Sequence, residues 1–356
     1  MPDRPLDDQI SLERVDVSKA KRGVTNLLKR RRLDWDCEWL VKSEEEVRLR
    51  SIRAGAFMAV AVAVTLVSTS VLAVVPLELS PSDTHIQEEL RRIHQQAASF
   101  AQRVEAVSEL FLGVPYKLGS LGEGPDGEFD RDPLIRFDAF DCTTFVETVM
   151  ALPLDCDLDS AVRTLQKIRY KDGQIGYATR NHFIELDWVP NNVRAGYLHD
   201  ITSDVAGRNA VKVHKTVSKR KWYLRKSLAS LEGGFSENEK RGLVLKLKHL
   251  GTRFPNKRAT LTVLPLKELP LALAKIPSGT IANLVHVDQR YRDTIVSHQV
   301  ILIKKSDGWY MRHAASGKTV EDDPIEILAR YKDARWRLIG LNLDVLHDPT
   351  SEKASR

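Results

Sequence analysis

The chain has 356 residues, enough for two ordinary domains or one large domain with extensions, and 42% of them are hydrophobic, so a sizeable core can be buried. A net charge of +6 and a pI of about 9.1 favour anionic partners without choosing among nucleic acid, anionic lipid and acidic polymers. Three cysteines, Cys37, Cys142 and Cys156, exclude a disulfide framework, and there is no C-x-x-C pair to hold zinc.

Residues 1–53 are polar and mixed in charge, with no apolar period long enough for a core, and read as a disordered or partly helical tail. The cluster Lys29-Arg30-Arg31-Arg32 is common in such tails; a nucleic-acid role is its weaker alternative, and no nucleic-acid partner is expected. Ala54–Val75 carries no charge and is long enough to span a bilayer core of roughly 30 Å. Two readings stand side by side. Arginines precede the stretch while Glu78 and Asp83 follow it, which predicts a membrane anchor with residues 1–53 in the cytoplasm. From Arg48 onward the same residues also resemble a signal peptide with a cleavage site near Val71-Leu72-Ala73, a reading that admits a true start later than Met1. Both export the rest of the chain to the periplasm or beyond.

Thr84–Leu112 has near-helical apolar spacing and predicts one long amphipathic helix ended by Gly113 and Pro115. Residues 116–136, rich in Gly, Asp and Pro, predict a loop. Asp157–Arg169 predicts a helix capped by aspartate, Asp172-Gly173 a turn and His182–Val189 a strand. Residues 205–257 are dense in Lys and Arg and predict a solvated insertion with helical parts; the functional alternative is an anionic-polymer contact with Trp222 and Tyr223 as stacking surfaces. From Ala259 the chain turns strand-rich, at Thr260–Leu264, Thr280–Val287, Thr294–Lys304, Trp309–Ala314 and Trp336–Asp344, with a short helix at Pro324–Tyr331. Helices followed by closely spaced strands predict an α+β fold with an antiparallel sheet.

The chemistry centres on FDAFDCTTFVETVM, residues 137–150. Asp141 or the threonines can cap a helix there, and Phe145, Val146 and Val149 give it a buried stripe. Cys142 then stands at a helix N-terminus, where the helix dipole favours the nucleophilic thiolate. The competing reading is a small buried hydrophobe. A cysteine nucleophile needs a base and the base an orienting group. Of ten histidines, His298 in IVSHQVILI and His313 in WYMRHAAS occupy neighbouring apolar strands, where two imidazoles on one face can hydrogen-bond; His286 ends a further strand and is a weaker candidate. His85, His94, His199, His214, His249 and His347 read as surface residues.

LGVPYKLGSLG followed by FDCTTFVETVMAL resembles the NlpC-type cell-wall cysteine hydrolases, and more narrowly their N-acetylmuramoyl-L-alanine amidase-like branch. Phe140–Glu147 matches the branch's F-D-C-T-T-F-V-E segment; Arg180, His182 and Trp188 match its arginine and histidine before a tryptophan; SHQVILI and His313-Ala314-Ala315-Ser316 match its histidine strands. The chain departs from the superfamily in having Gly279-Thr280 before the sheet and Gln299-Val300 after the histidine. The resemblance covers roughly residues 100–345 and implies a papain-like fold, with the Cys142 helix packed on the antiparallel sheet, in a domain placed at 84–347 and followed by a short tail at 348–356. It implies Cys142 as nucleophile, His298 as base and His313 as orienting group. It implies Tyr116, Asp141, Arg180 and His182 as substrate-binding residues; helix capping by Asp141 and loop bracing by Arg180 and His182 are the structural alternatives. It implies peptidoglycan or muropeptides as partner, no metal or cofactor, and cleavage of the lactyl–L-alanine amide, with the γ-D-glutamyl bond to the diamino acid as the alternative. A non-catalytic peptidoglycan-binding protein on the same fold is the other class.

Overall fold

The computed structural model describes residues 81–349, apart from 232–233, 316 and 332–333. The tail at 1–53, the apolar stretch 54–75 and Cys37 lie outside the described residues. Within the described residues no helix is long and apolar enough to cross a membrane.

The expected single helix at Thr84–Leu112 is two helices, α1 (Pro81–Gln96) and α2 (Phe100–Leu110). The apolar period runs through both, but Ser99 and Gln102 form a capping box: the Ser99 hydroxyl accepts from the Gln102 N–H at 3.2 Å, and the Gln102 side chain accepts from the Ser99 N–H at 3.2 Å. That pair starts a new helix in the middle of the periodic run. The helices α3 (Cys142–Ala151) and α4 (Leu158–Arg169) follow, and Asp157 caps α4 as its position implied.

His182–Val189 is not a strand. Ile184–Trp188 forms a π-helical turn that runs into α5 (Val189–Arg194). The Phe183 carbonyl accepts from the Asp187 N–H at 2.7 Å and the Trp188 N–H at 3.0 Å, while the Asp187 carboxylate takes the Phe183 N–H. Pro190, with φ fixed near the helical value, favours the first turn that follows.

Eight strands form one antiparallel sheet: β1 (Leu198–Asp200), β2 (Val211–Val217), β3 (Lys257–Pro265), β4 (Thr280–His286), β5 (Val296–Lys304), β6 (Trp309–Ala314), β7 (Thr319–Asp322) and β8 (Leu338–Leu346). Their order is β2-β3-β8-β4-β5-β6-β7, with β1 also paired to β8. Between the strands lie α6 (Thr202–Ala206), α7 (Lys219–Leu224), α8 (Glu237–Gly251), α9 (Leu269–Ala272) and α10 (Pro324–Ala329). The α+β class and the antiparallel sheet match the expectation from the sequence.

Strand alternation divides the core. Ile281, Ile301, Ile303 and Ala314 pack with Phe145, Val146 and Val149 of α3. Ala282, Leu284, Val300, Leu302 and Met311 pack with Leu269 of α9 and with Ile327 and Leu328 of α10. The basic stretch has the expected helical parts, α7 and α8, but it also carries a strand and a buried core. β2 pairs with β3 along its whole length, and Trp222, Tyr223, Leu231, Phe235, Val244 and Leu247 form a core of their own with Phe129, Tyr177 and Phe183. Trp222 is 8% exposed and Tyr223 1%, so they are not exposed stacking surfaces. The lysines and arginines ride on the outside of an amphipathic segment, which is why charge density alone misread it.

Candidate active site

Asp141 caps α3 from an extended conformation (φ −96°, ψ 177°). One carboxylate oxygen accepts from the Thr144 N–H at 2.8 Å, the Thr144 hydroxyl oxygen accepts from the Asp141 N–H at 2.9 Å, and the other carboxylate oxygen accepts from the Gly119 N–H at 2.9 Å. Asp141 therefore both starts the helix and ties down the loop at 116–136. Cys142 is the first residue of α3 and half-buried, whereas Cys156 is exposed. A buried knot anchors the middle of the helix: Glu147 pairs with Arg169 at 2.5 Å and accepts from the Trp188 indole at 3.0 Å, while Arg169 also reaches the Leu121 carbonyl.

The segment before the helix is stitched to the sheet. Val114 and Thr319 are joined at 2.7 Å, the Tyr116 N–H meets the Gly317 carbonyl at 3.0 Å, and Phe140 bridges Tyr116 on the other side. This brings Tyr116, Asp141 and the start of α3 to the end of the sheet where β6 finishes and β7 begins. α3 itself packs against β5 and β6.

His298 and His313 meet. The ladder sets Leu302 opposite Met311, so by alternation His298, Val300 and His313 share one face. His298 Nε2 and His313 Nδ1 are 2.8 Å apart, with the rings edge-to-face. His313 Nε2 lies 3.1 Å from Asp322 Oδ2. A carboxylate only accepts, so His313 carries its proton on Nε2; its Nδ1 then accepts from His298 Nε2–H, leaving Nδ1 as the acceptor nitrogen of His298. Burial pushes His313 down to about 4 against the pull of Asp322, so the ring is neutral in the folded protein, and the hydrogen bond from His313 lowers the Asp322 carboxyl.

Asp322 was not singled out in the sequence. Its signal is a carboxylate on the strand antiparallel to the His313 strand, in a run (Glu321-Asp322-Asp323) that reads as an ordinary surface turn. The other implied residues are spread out. Arg180 is 13% exposed at its side chain and pairs with Glu123 at 3.0 Å and Asp130 at 2.7 Å, bracing the 116–136 loop. His182 bonds the Tyr177 carbonyl at 2.8 Å and sits 4.6 Å from the Trp222 ring. His286 is closed off between the Ser297 hydroxyl and the Trp336 carbonyl. His85, His199, His214 and His249 are exposed; His94 and His347 are half-buried, each near a backbone carbonyl.

Comparison with known proteins agrees with this architecture. A protein from Legionella pneumophila strain Philadelphia 1, described by the family model DUF1460, superposes with a TM-score of 0.69 at 28% identity, covering 74% of this chain and 95% of that one. An N-acetylmuramoyl-L-alanine amidase from Bacteroides uniformis superposes with a TM-score of 0.51 at 27% identity, covering 68% and 98%. A Bacteroides fragilis protein named as a candidate xylanase gives 0.50 at 29%, covering 67% and 99%. No curated protein matches the chain. The AmiA-like family model, described as N-acetylmuramoyl-L-alanine amidase-like, matches residues 106–332, a span that contains Cys142, His298, His313 and Asp322, and the chain belongs to that family.

Proposed function

We propose that the protein is a cell-wall cysteine amidase that cleaves the amide between the lactyl group of N-acetylmuramic acid and L-alanine. The observation that carries this is the hydrogen-bonded row His298–His313–Asp322, at the same end of the sheet as the thiol-bearing helix start, in a member of an amidase-like family. In this reading the fold is of the papain-like NlpC type. Cys142 thiolate attacks the amide carbonyl, and the backbone N–H of Cys142 with one nearby donor holds the oxyanion. His298 takes the thiol proton and returns it to the leaving amine; water then hydrolyses the thioester. No cofactor enters these steps. The α3 stripe packs on Ile301 and Ile303 while the imidazoles share the face of Val300, so the thiol approaches His298 around the end of the sheet and not through it.

The substrate lies in the cell envelope, and the apolar stretch 54–75 supplies the export, as an anchor or a removed signal. Tyr116 and the Asp141-held loop line the cleft. The test is incubation with purified sacculi and muropeptides. Whole stem peptides with a free L-alanine amine are expected. Fragments that begin at the diamino acid would move the protein to the endopeptidase class. Release of sugar from xylan would favour a glycosidase, which commonly uses a pair of carboxyl groups in place of a thiol and imidazole. Coupling of thiol and imidazole is read separately: the pH profile of Cys142 alkylation should change in His298→Ala, and an unchanged profile would sink the dyad.

A further inference from the structure

Among the described residues, Arg169, Lys215, Arg312 and Lys226 are the buried cations. Arg169 is paired with Glu147, Lys215 with Asp288, and Arg312 with Glu321 and Glu109. Lys226 is 9% exposed; its backbone N–H donates to the Tyr223 carbonyl, while its Nζ has no carboxylate or hydrogen-bond partner among the described residues and lies over the Trp222 ring at 3.5 Å from the centroid and 5.6 Å from that of Tyr177. The nearby acid, Asp293, is held by Arg225, and Arg180 is spent on Glu123 and Asp130. A buried charge without a counterion is costly, and the group answers by shedding its proton: burial first, then Arg180, push Lys226 down to about 7, with Asp293 pulling the other way.

We infer that Lys226, with Trp222 and Tyr177 as walls, is a binding site for a carboxylate of the ligand. The Trp222 and Tyr177 rings lie nearly parallel, with centroids 6.1 Å apart, and both line the approach to the ammonium. One ammonium matches a singly charged group, and the Glu123 and Asp130 carboxylates behind Arg180 oppose a phosphate dianion. Phe129 packs on Tyr177 at 5.7 Å, so the site adjoins the loop whose other end Asp141 ties to the Cys142 helix. Resting on the amidase reading, the carboxylate belongs to the stem peptide.

The experiment measures binding of the tripeptide L-Ala-γ-D-Glu-diaminopimelate to the full chain carrying Cys142→Ala, by calorimetry, with and without Lys226→Met. Removing the ammonium should weaken binding by about tenfold or more. The same peptide with its carboxylates amidated should lose a comparable factor on protein that keeps Lys226, which covers the case where the variant misfolds. The titratable groups around Lys226 are Arg180, Arg225, Lys219, Asp293, Glu123, Tyr177, Tyr223 and His182, and His182 is held neutral by burial. Binding should therefore be tighter at pH 6, where Lys226 is charged, than at pH 8.5. Equal affinity for the amidated peptide, no binding by the protein that keeps Lys226, or tighter binding of inorganic phosphate would overturn the assignment. Turnover by the protein with Cys142 intact is scored separately: Lys226-dependent binding without turnover keeps the site and removes the amidase reading, and turnover without Lys226-dependence does the reverse.

Discussion

His286 on β4 and His313 on β6 are two strands apart in the same sheet, and burial pushes both down to about 4, yet their surroundings differ. His286 stacks on Trp336 at 4.2 Å, with Nδ1 2.9 Å from the Trp336 carbonyl and Nε2 2.6 Å from the Ser297 hydroxyl. The carbonyl requires a proton on Nδ1, so Nε2 accepts from the serine, and every partner is neutral. His313 instead links a second imidazole to a carboxylate. Burial alone does not distinguish the two histidines; the difference lies in whether their partners can share a charge.

The largest effect that tests this contrast is on turnover. Cys142→Ala should reduce muropeptide hydrolysis to background, and His298→Ala should lower kcat/KM by about 10²–10⁴-fold, whereas His286→Phe should leave it within a few fold. A His286 variant as inactive as the His298 one would erase the distinction. Next comes Asp322→Ala, expected to lower kcat/KM by about ten- to a hundredfold, the range found when a partner that orients another group is removed. His286→Phe should appear in stability, at about 1–3 kcal/mol in urea unfolding, because the Ser297 hydroxyl loses its buried acceptor.

A smaller effect separates the two kinds of buried ionisable group by pH. His286 and His313 are lowered from about 6.5 to about 4, so the unfolded chain binds more protons in that window and their contribution to stability is lost as pH falls through it. Asp344 is the opposite case. Burial and the neighbouring Asp200 push it up to about 8, so the folded chain holds the extra proton and stability is lost as pH rises from about 4 through 8. Asp344→Asn should keep the hydrogen bond from Asn283 and flatten the decline in urea midpoint between pH 6 and 8.5. The smallest effect is at the surface: Lys246→Ala, which breaks an exposed pair with Glu128, should change stability by less than about 1 kcal/mol.

The strands from residue 257 onward were legible because β-branched and apolar residues alternate there, and Trp309–Ala314 has the predicted bounds. The start of α3 was legible because Asp141 and Thr144 stand at capping-box spacing, and the His298–His313 contact because both lie in apolar strands one hairpin apart. The break at Ser99 escaped because a stripe can continue across two helices. The turn at Ile184–Trp188 escaped because its hydrogen bonds converge on one carbonyl, Phe183, which no periodicity encodes. Asp322 escaped because strand register decides which carboxylate of an acidic run faces an imidazole. Lys226 escaped for a related reason: among so many lysines, only packing tells which one is covered.

The Asp141 carboxylate is divided between two clients, with one oxygen on the helix at Thr144 and the other on the loop at Gly119. The loop cannot swing away at that end without uncapping the helix that presents the thiol. Loop and helix start are thus one mechanical piece, further riveted by Arg169 between Glu147 and the Leu121 carbonyl. The turn between β6 and β7 belongs to the same piece, because the Gly317 carbonyl accepts from Tyr116 and the Thr319 N–H donates to Val114. Loops exchanged within 123–134 should leave the thiol in place, while a change at Gly119 or Asp141 alters loop and helix start together.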